Sequence, residues 1–249
     1  MEPVIVEKEP ELGGKLRGWH VLFPSFTPAE EVLTDLRRRV NERGIEVMTS
    51  TEVKGFTPQS VTLADGRQLT CEAVVLASGS TLFDASIKEE YGYGIYDNVL
   101  TSADLERMFN EGRVARAAGY EELYREAQQT YNIHFVRGRI SEASPTLEGR
   151  VQIKAEDTLT GRPLRMSVDL LVLLIGMRAN DDNAALAEGA GLQRAASGFM
   201  KPRDLFLGNV SSNVGGIFYA GTVTAPKTIG ESLNEATAAA DAAARYVEA

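Results

Sequence analysis

The chain has 249 residues, enough for one large core or two smaller ones, and its 43% hydrophobic and 24% charged content is that of an ordinary globular protein. A net charge of −9 argues against nucleic acid and anionic membrane surfaces, because both need a basic patch to neutralise phosphates. The single cysteine, Cys71, excludes an internal disulfide and any cysteine-built zinc or iron–sulfur site in these residues. His20 and His134 lack metal-ligand spacing, so no metal is expected. No apolar run reaches the roughly 18–20 residues that span a bilayer. Met1-Glu2-Pro3 offers no basic n-region of a signal peptide. The expected compartment is the cytoplasm.

In chain order, Val4-Ile5-Val6 reads as a strand that ends at Glu7 and runs into Pro10-Glu11-Leu12-Gly13-Gly14. In a dinucleotide-binding βαβ unit the second strand ends in an acid that accepts from the ribose hydroxyls, and Glu7 holds that place. Gly13-Gly14 would let backbone approach a ligand with no Cβ in the way. A first strand and a G-x-G-x-x-G turn are absent before it, and Gly92-Tyr93-Gly94 follows no strand. Thr27 can cap a helix from Pro28 to Arg43, which Gly44 closes. A strand at Ile45–Val47, then Val53, lead to a hairpin in which Val61–Leu63 and Arg67–Leu69 flank Ala64-Asp65-Gly66. Ala73–Ala77 is a fully apolar strand running into Ser78-Gly79-Ser80, and Cys71 before it reads as a packed thiol.

The same order recurs. A helix from Tyr120 to about Thr130 is expected to lead to a strand at Ile133–Val136. A two-stranded ribbon of Val151–Ile153 and Leu164–Met166 follows, and then a buried strand from Leu170 to Ile175, ending at Gly176. This half-domain repeat predicts two related α/β halves whose strands are covered by helices on both faces. Between them, three tyrosines and two glycines in Tyr91–Tyr96 describe a loop that either stacks rings on something flat or holds itself together with its own aromatics. Thr101 or Ser102 caps a short helix to Phe109. Asp181–Gly191 reads as a short helix, and Ser197–Gly216 as a long polar loop.

The C-terminal end organises the rest. Ile217–Ala220 is a buried strand bounded by glycines, and the alanine-rich stretch from Gly230 reads as a helix able to lie close to a sheet or a flat ligand. The turn between them carries Gly221, Thr222, Pro226 and Lys227. It would aim unpaired N–H groups, a helix dipole and a cation at one spot. A purely structural strand-to-helix corner has the same pattern.

Several separated stretches together carry a family likeness. They are Val6–Pro10 with Gly13-Gly14, Lys88–Gly94, Tyr96–Ser102, Glu156–Gly161, and Ala220-Gly221 with Ala225-Pro226-Lys227. The sequence resembles the flavoprotein (A-type) subunits of heterodisulfide reductase and their relatives in the quinone-interacting membrane-bound oxidoreductase complex, over nearly its whole length. The resemblance implies the α/β two-dinucleotide-binding-domain flavoprotein fold, with parallel sheets and β-meanders. It also implies FAD as cofactor and electron transfer to other redox subunits, iron–sulfur proteins among them. It implies cofactor contacts from Glu7, Lys8, Gly13, Gly14, Lys15, Val53, Ala77, Ser78, Gly79, Tyr93, Gly221, Thr222, Pro226, Lys227 and Ile229. Lys227 takes the catalytic role, as a cation that stabilises negative charge on the reduced ring.

Against the family, the first βα unit of each half is missing: the glycine-rich phosphate loop of the first, and the part between Phe109 and Gly119 in the second. The family's cysteines are missing as well. The expected domains are 1–110, completed by 205–249, as the FAD-binding half, and 111–204 as a reduced second half. The alternative to an FAD-dependent oxidoreductase subunit is a docking subunit that has lost its flavin.

Overall fold

The computed structural model describes residues 2–22, 26–111, 129–130 and 132–249. Contacts divide the described residues into two compact units, one from 1–14, 33–83 and 176–249, the other from 15–32 and 84–175. This division places 84–110 with the second unit and 176–204 with the first.

The first unit is built on two parallel strand pairs. Val4–Val6 pairs with Glu46–Met48, and Val74–Leu76 pairs with Ile217–Tyr219. A three-stranded antiparallel meander, Val53–Thr57, Ser60–Leu63 and Gln68–Thr70, turns at the Asp65-Gly66 corner. Alternation along Ile217–Tyr219 sorts its side chains onto two faces. Ile217 and Tyr219 enter a cluster with Phe56, Ala187, Leu192, Met200 and Val223. Phe218 joins Ala220, Val210, Ala239 and Ala243 on the other face. The last two lie on the C-terminal helix, Ile229–Glu248, whose small alanines allow its axis to approach the strands. Phe218 meets Tyr246 of that helix edge to face at 6.1 Å.

The second unit pairs Val99–Thr101 with Leu171–Leu173 in parallel. Its antiparallel meander is Gly138–Pro145, Val151–Asp157 and Arg162–Val168. Val99, Ala143, Val151, Ile153 and Leu171 form its core. Thr101 caps the helix Ser102–Asn110 through a reciprocal bond with Asp104.

Several expectations change. Ile133–Val136 is not a strand: Ile133, Phe135 and Val136 are each about half exposed, and regular pairing begins only at Gly138. Both ribbons have three strands rather than two. Thr27 and Pro28 pair with Val21–Leu22 before the first helix begins at Ala29. The apolar strands are not buried on both faces, since Val75 and Leu174 stand out to solvent. Parallel pairs of two strands leave one side-chain row uncovered, which a continuous apolar run does not disclose. The 197–216 stretch is irregular as expected, yet it buries Phe199, Met200 and Val210. Its Ser211 bridges Phe218 on the open edge of the last strand. The helix expected at 120–130 lies almost wholly outside the described residues.

The close alanine contact makes a size-specific prediction. Ala239, fully buried, should tolerate Leu poorly, whereas Leu at the exposed Ala240 should be neutral. Ala239→Leu should cost about 1–3 kcal/mol by overpacking, read as a lower denaturant midpoint than that of Ala240→Leu.

Candidate functional site

Parallel strands direct their carboxyl ends to one side, and ligands of open α/β sheets bind there. In the first unit, the pairing of Val74–Leu76 with Ile217–Tyr219 is extended by Val74 N–H to Gly216 O at 2.8 Å and Ala220 N–H to Leu76 O at 3.2 Å. The two chains therefore leave the pair side by side, one into Ala77-Ser78-Gly79 and the other into Gly221-Thr222. Gly79 has φ +74°, and a Cβ there would lie 3.7 Å from Thr222 Oγ1. Gly221 has φ +73°, and its Cβ would lie 3.5 Å from Ser232 Cβ. Both turns thus need the left-handed backbone that glycine adopts without strain. The structure brings together Ala77, Ser78, Gly79, Gly221 and Thr222, as the resemblance implies.

Asn180 is a site residue that the sequence does not single out. Its Nδ2 donates to Ser78 O at 2.8 Å, and its Oδ1 accepts from Thr81 Oγ1 at 2.6 Å. One side chain thereby fixes both ends of the Ser78–Thr81 turn. It sits far away in sequence, after the short strand Met177–Arg178, which pairs with Thr81–Leu82. No short-range spacing could have pointed to it.

The other parallel pair ends at Glu7. Glu7 N–H donates to Met48 O at 2.9 Å, and its own carbonyl accepts from Thr51 N–H at 2.9 Å. Its carboxylate Oε1 accepts from Glu9 N–H at 3.0 Å, which fixes the rotamer and leaves Oε2 as the second acceptor. Gly13 and Gly14 have φ of 122° and 50°. A Cβ on Gly14 would meet nothing within 4 Å, so the chain there lies open to approach. Val53 packs against the first unit's core. Lys8 reaches Glu52 at 2.8 Å and Asp182 at 3.6 Å at the surface; the hydrogen bond from Glu52, then the nearby negative charges, raise its pKa.

Two of the residues implied by the resemblance lie in the second unit, Lys15 and Tyr93. Tyr93 and Tyr96 pack on that unit's own core. The Tyr96 ring fills the space where a Gly92 Cβ would stand, 2.2 Å away. The tyrosine loop is therefore held by its own aromatics.

The helix that starts at Ile229 is capped from within. Thr228 Oγ1 accepts from Glu231 N–H at 3.2 Å, and Glu231 Oε2 accepts from Thr228 N–H at 2.7 Å. Pro226 is exposed and Ile229 half-buried. Lys227 does not point outward: its ammonium donates to Gly221 O at 3.1 Å and to Thr224 Oγ1, and it pairs with Glu235 at 3.3 Å. Cys71 is partly buried and its thiol is pushed up by burial, which keeps it protonated and unreactive.

These elements match known proteins in order and in fold. No family model matches the chain. The A subunit of the H(2)/formate:CoB-CoM heterodisulfide, ferredoxin reductase of Methanococcus maripaludis is 27% identical over 312 aligned positions, covering 97% of this chain and 46% of that protein. The chain is a heterodisulfide reductase A-type protein. The iron-sulfur A subunit of the CoB–CoM heterodisulfide reductase of Methanocaldococcus jannaschii is 30% identical over 239 positions, with 68% of this chain and 36% of the relative covered. This A-type chain thus spans less than half the length of the curated relatives it matches. The 312 aligned positions also exceed its 249 residues, so the longer relative carries stretches that interrupt the match. Among solved structures, the thioredoxin reductases of T. acidophilum and Lactococcus lactis superpose with TM-scores of 0.66 and 0.67 at 16% identity. They cover 98% and 99% of this chain, and the chain covers 90% and 91% of theirs. The fold is therefore that of the two-dinucleotide-binding-domain flavoproteins. No helix among the described residues is long and apolar enough to cross a membrane.

Tyr219, behind the site, gives a pH prediction. It is fully buried, its hydroxyl has no hydrogen-bond partner, and Ser212 nearby donates to Val214 O instead. Burial pushes the Tyr219 hydroxyl up to about 12, a shift that Ser212 only opposes. The unfolded chain ionises near pH 10, so stability present below pH 10 is lost as pH rises from there toward 12. Tyr219→Phe should remove that alkaline loss and leave stability at pH 8 unchanged or higher, since no hydrogen bond is sacrificed. Denaturant unfolding at pH 8 and pH 11 checks both.

Proposed function

We infer that this A-type chain binds FAD in its first unit and serves as an electron-transfer subunit of a heterodisulfide reductase-like oxidoreductase complex. The observation that carries this reading is the convergence of the Gly79 and Gly221–Thr222 turns at the carboxyl ends of one parallel strand pair. Turns without Cβ atoms at their corners form a cradle that suits a flat ring edge, so the residues present fit that end of the cofactor.

In this reading Glu7 accepts from the adenosine ribose hydroxyls through the oxygen that Glu9 leaves open, while Val53 lies beside the adenine. Gly13 and Gly14 admit the backbone to the ligand. Ala77, Ser78, Gly79, Gly221 and Thr222 line the ring, with Pro226 and Ile229 at its pyrimidine end. The exposed Lys8 can turn from Glu52 and Asp182 toward a phosphate at small cost. FAD, when bound, supplies a ring that takes up and releases two electrons. With one cysteine in 249 residues, onward transfer falls to iron–sulfur proteins on partner subunits. The expected compartment remains the cytoplasm.

A second reading, a docking protein without flavin, is favoured by a separate observation: Lys227, the cation expected at the ligand, is already paired. Colour separates the two. Protein purified with its partners should show flavin absorption near 450 nm, on the order of one FAD per chain, released on denaturation. Glu7→Ala should lower FAD affinity by about tenfold, the weight of one good charge-assisted hydrogen bond. A colourless protein that takes up no flavin from excess FAD, with assembly unaffected by Glu7→Ala, would establish the docking reading instead.

A further inference from the structure

Lys227 and Glu235 form the least exposed ion pair among the described residues, with side chains 15% and 13% exposed. The pair grips one residue from both sides. Lys227 Nζ donates to Gly221 O at 3.1 Å, and Glu235 Oε2 accepts from Gly221 N–H at 3.0 Å, while Glu235 Oε1 faces the ammonium at 3.3 Å. Thr224 Oγ1 takes the third ammonium proton. An ammonium has three donors and no acceptor, so its capacity is filled by Gly221, Thr224 and Glu235. Lys227 precedes the C-terminal helix and Glu235 lies in that helix's second turn, so the pair ties the turn after the Ile217–Tyr219 strand to the helix.

We propose that Lys227 and Glu235 are positioning residues: together they clamp both backbone groups of Gly221 and so set the Gly221–Thr222 turn against Gly79. Lys227 then acts on a bound flavin through this turn, and not as an unpaired cation facing the ring. Only that last step rests on the FAD-binding reading; the clamp stands without it. Its charges cancel locally, which gives a signature that a free cation would not.

The test is a double-mutant cycle of Lys227→Met, Glu235→Gln and the double variant. Gln still offers an oxygen to Gly221 N–H, so the change isolates the charge. In flavin-free protein each single change leaves one buried charge without its partner and should lower Tm by several degrees, while the double variant recovers most of the loss. Additive losses, or single variants that melt with wild type, would overturn the clamp. With FAD bound, each single variant should weaken FAD affinity by about tenfold and the double by no more than about threefold. The flavin midpoint potential of the double variant should match wild type. If instead the double variant and Lys227→Met share the same lowered potential, Lys227 is a free cation at the ring and the proposal fails. A chain that binds no FAD removes the flavin step together with the reading beneath it, and the unfolding cycle alone then decides the clamp.

Discussion

The site depends on one pairing between segments far apart in the chain, the parallel register that sets Val74 to Leu76 against Ile217 to Tyr219. Its hydrogen bonds continue past both strands, to Gly216 on one side and Ala220 on the other. The glycine turns that follow cannot separate without breaking it. Bringing together such distant residues costs loop-closure entropy before any contact compensates. The compensation comes from both faces of the last strand, where Ile217 and Tyr219 fill one apolar cluster and Phe218 the other. A strand buried on both faces at the end of the chain is thus the anchor, and the turn beyond it inherits a fixed place.

Charge is handled differently at the two ends of the proposed site. Lys8 pairs with Glu52 and Asp182 where both partners are more than half exposed, and water screens such contacts until they hold little. That lysine is free to change partners. The Lys227–Glu235 pair is withdrawn from solvent, and removing one partner of a buried pair commonly costs about 3–5 kcal/mol. It cannot turn toward a ligand without abandoning Gly221. The lysine that reads as a ligand-facing cation in the sequence is the one least able to act as one, and the lysine at the first strand's end is the more adaptable.

Much of this is legible in the sequence, and the departures have physical reasons. The strands at Val4–Val6, Val74–Leu76 and Ile217–Tyr219 and the helices from Ala29, Ser102 and Ile229 follow from apolar runs, caps and alanine content. The glycines at 13, 14, 79 and 221 stand where left-handed backbone is needed. Gly138–Pro145 does not read as a strand because glycine, proline and serine weaken its strand propensity. Pairing with Val151–Asp157 overrides that propensity, and Gly138 is required because a Cβ there would fall 2.1 Å from Glu156 O. Ile133–Val136 has the propensity and lacks regular pairing. Glu235 and Asn180 leave no trace, since a carboxylate on an alanine-rich helix and an asparagine after a short strand look like solvent-facing residues until tertiary structure turns them onto backbone.

The central claim is that the strand ends of the first unit hold a flavin. Hydrogen exchange followed by mass spectrometry, with and without saturating FAD, addresses it directly. Flavin binding there predicts slowed exchange in peptides covering Gly13–Gly14, Ser78–Gly79 and Gly221–Thr222, with the meander from Gly138 to Val168 unchanged. Unaltered exchange at those three turns, or protection confined to 138–168, would contradict it.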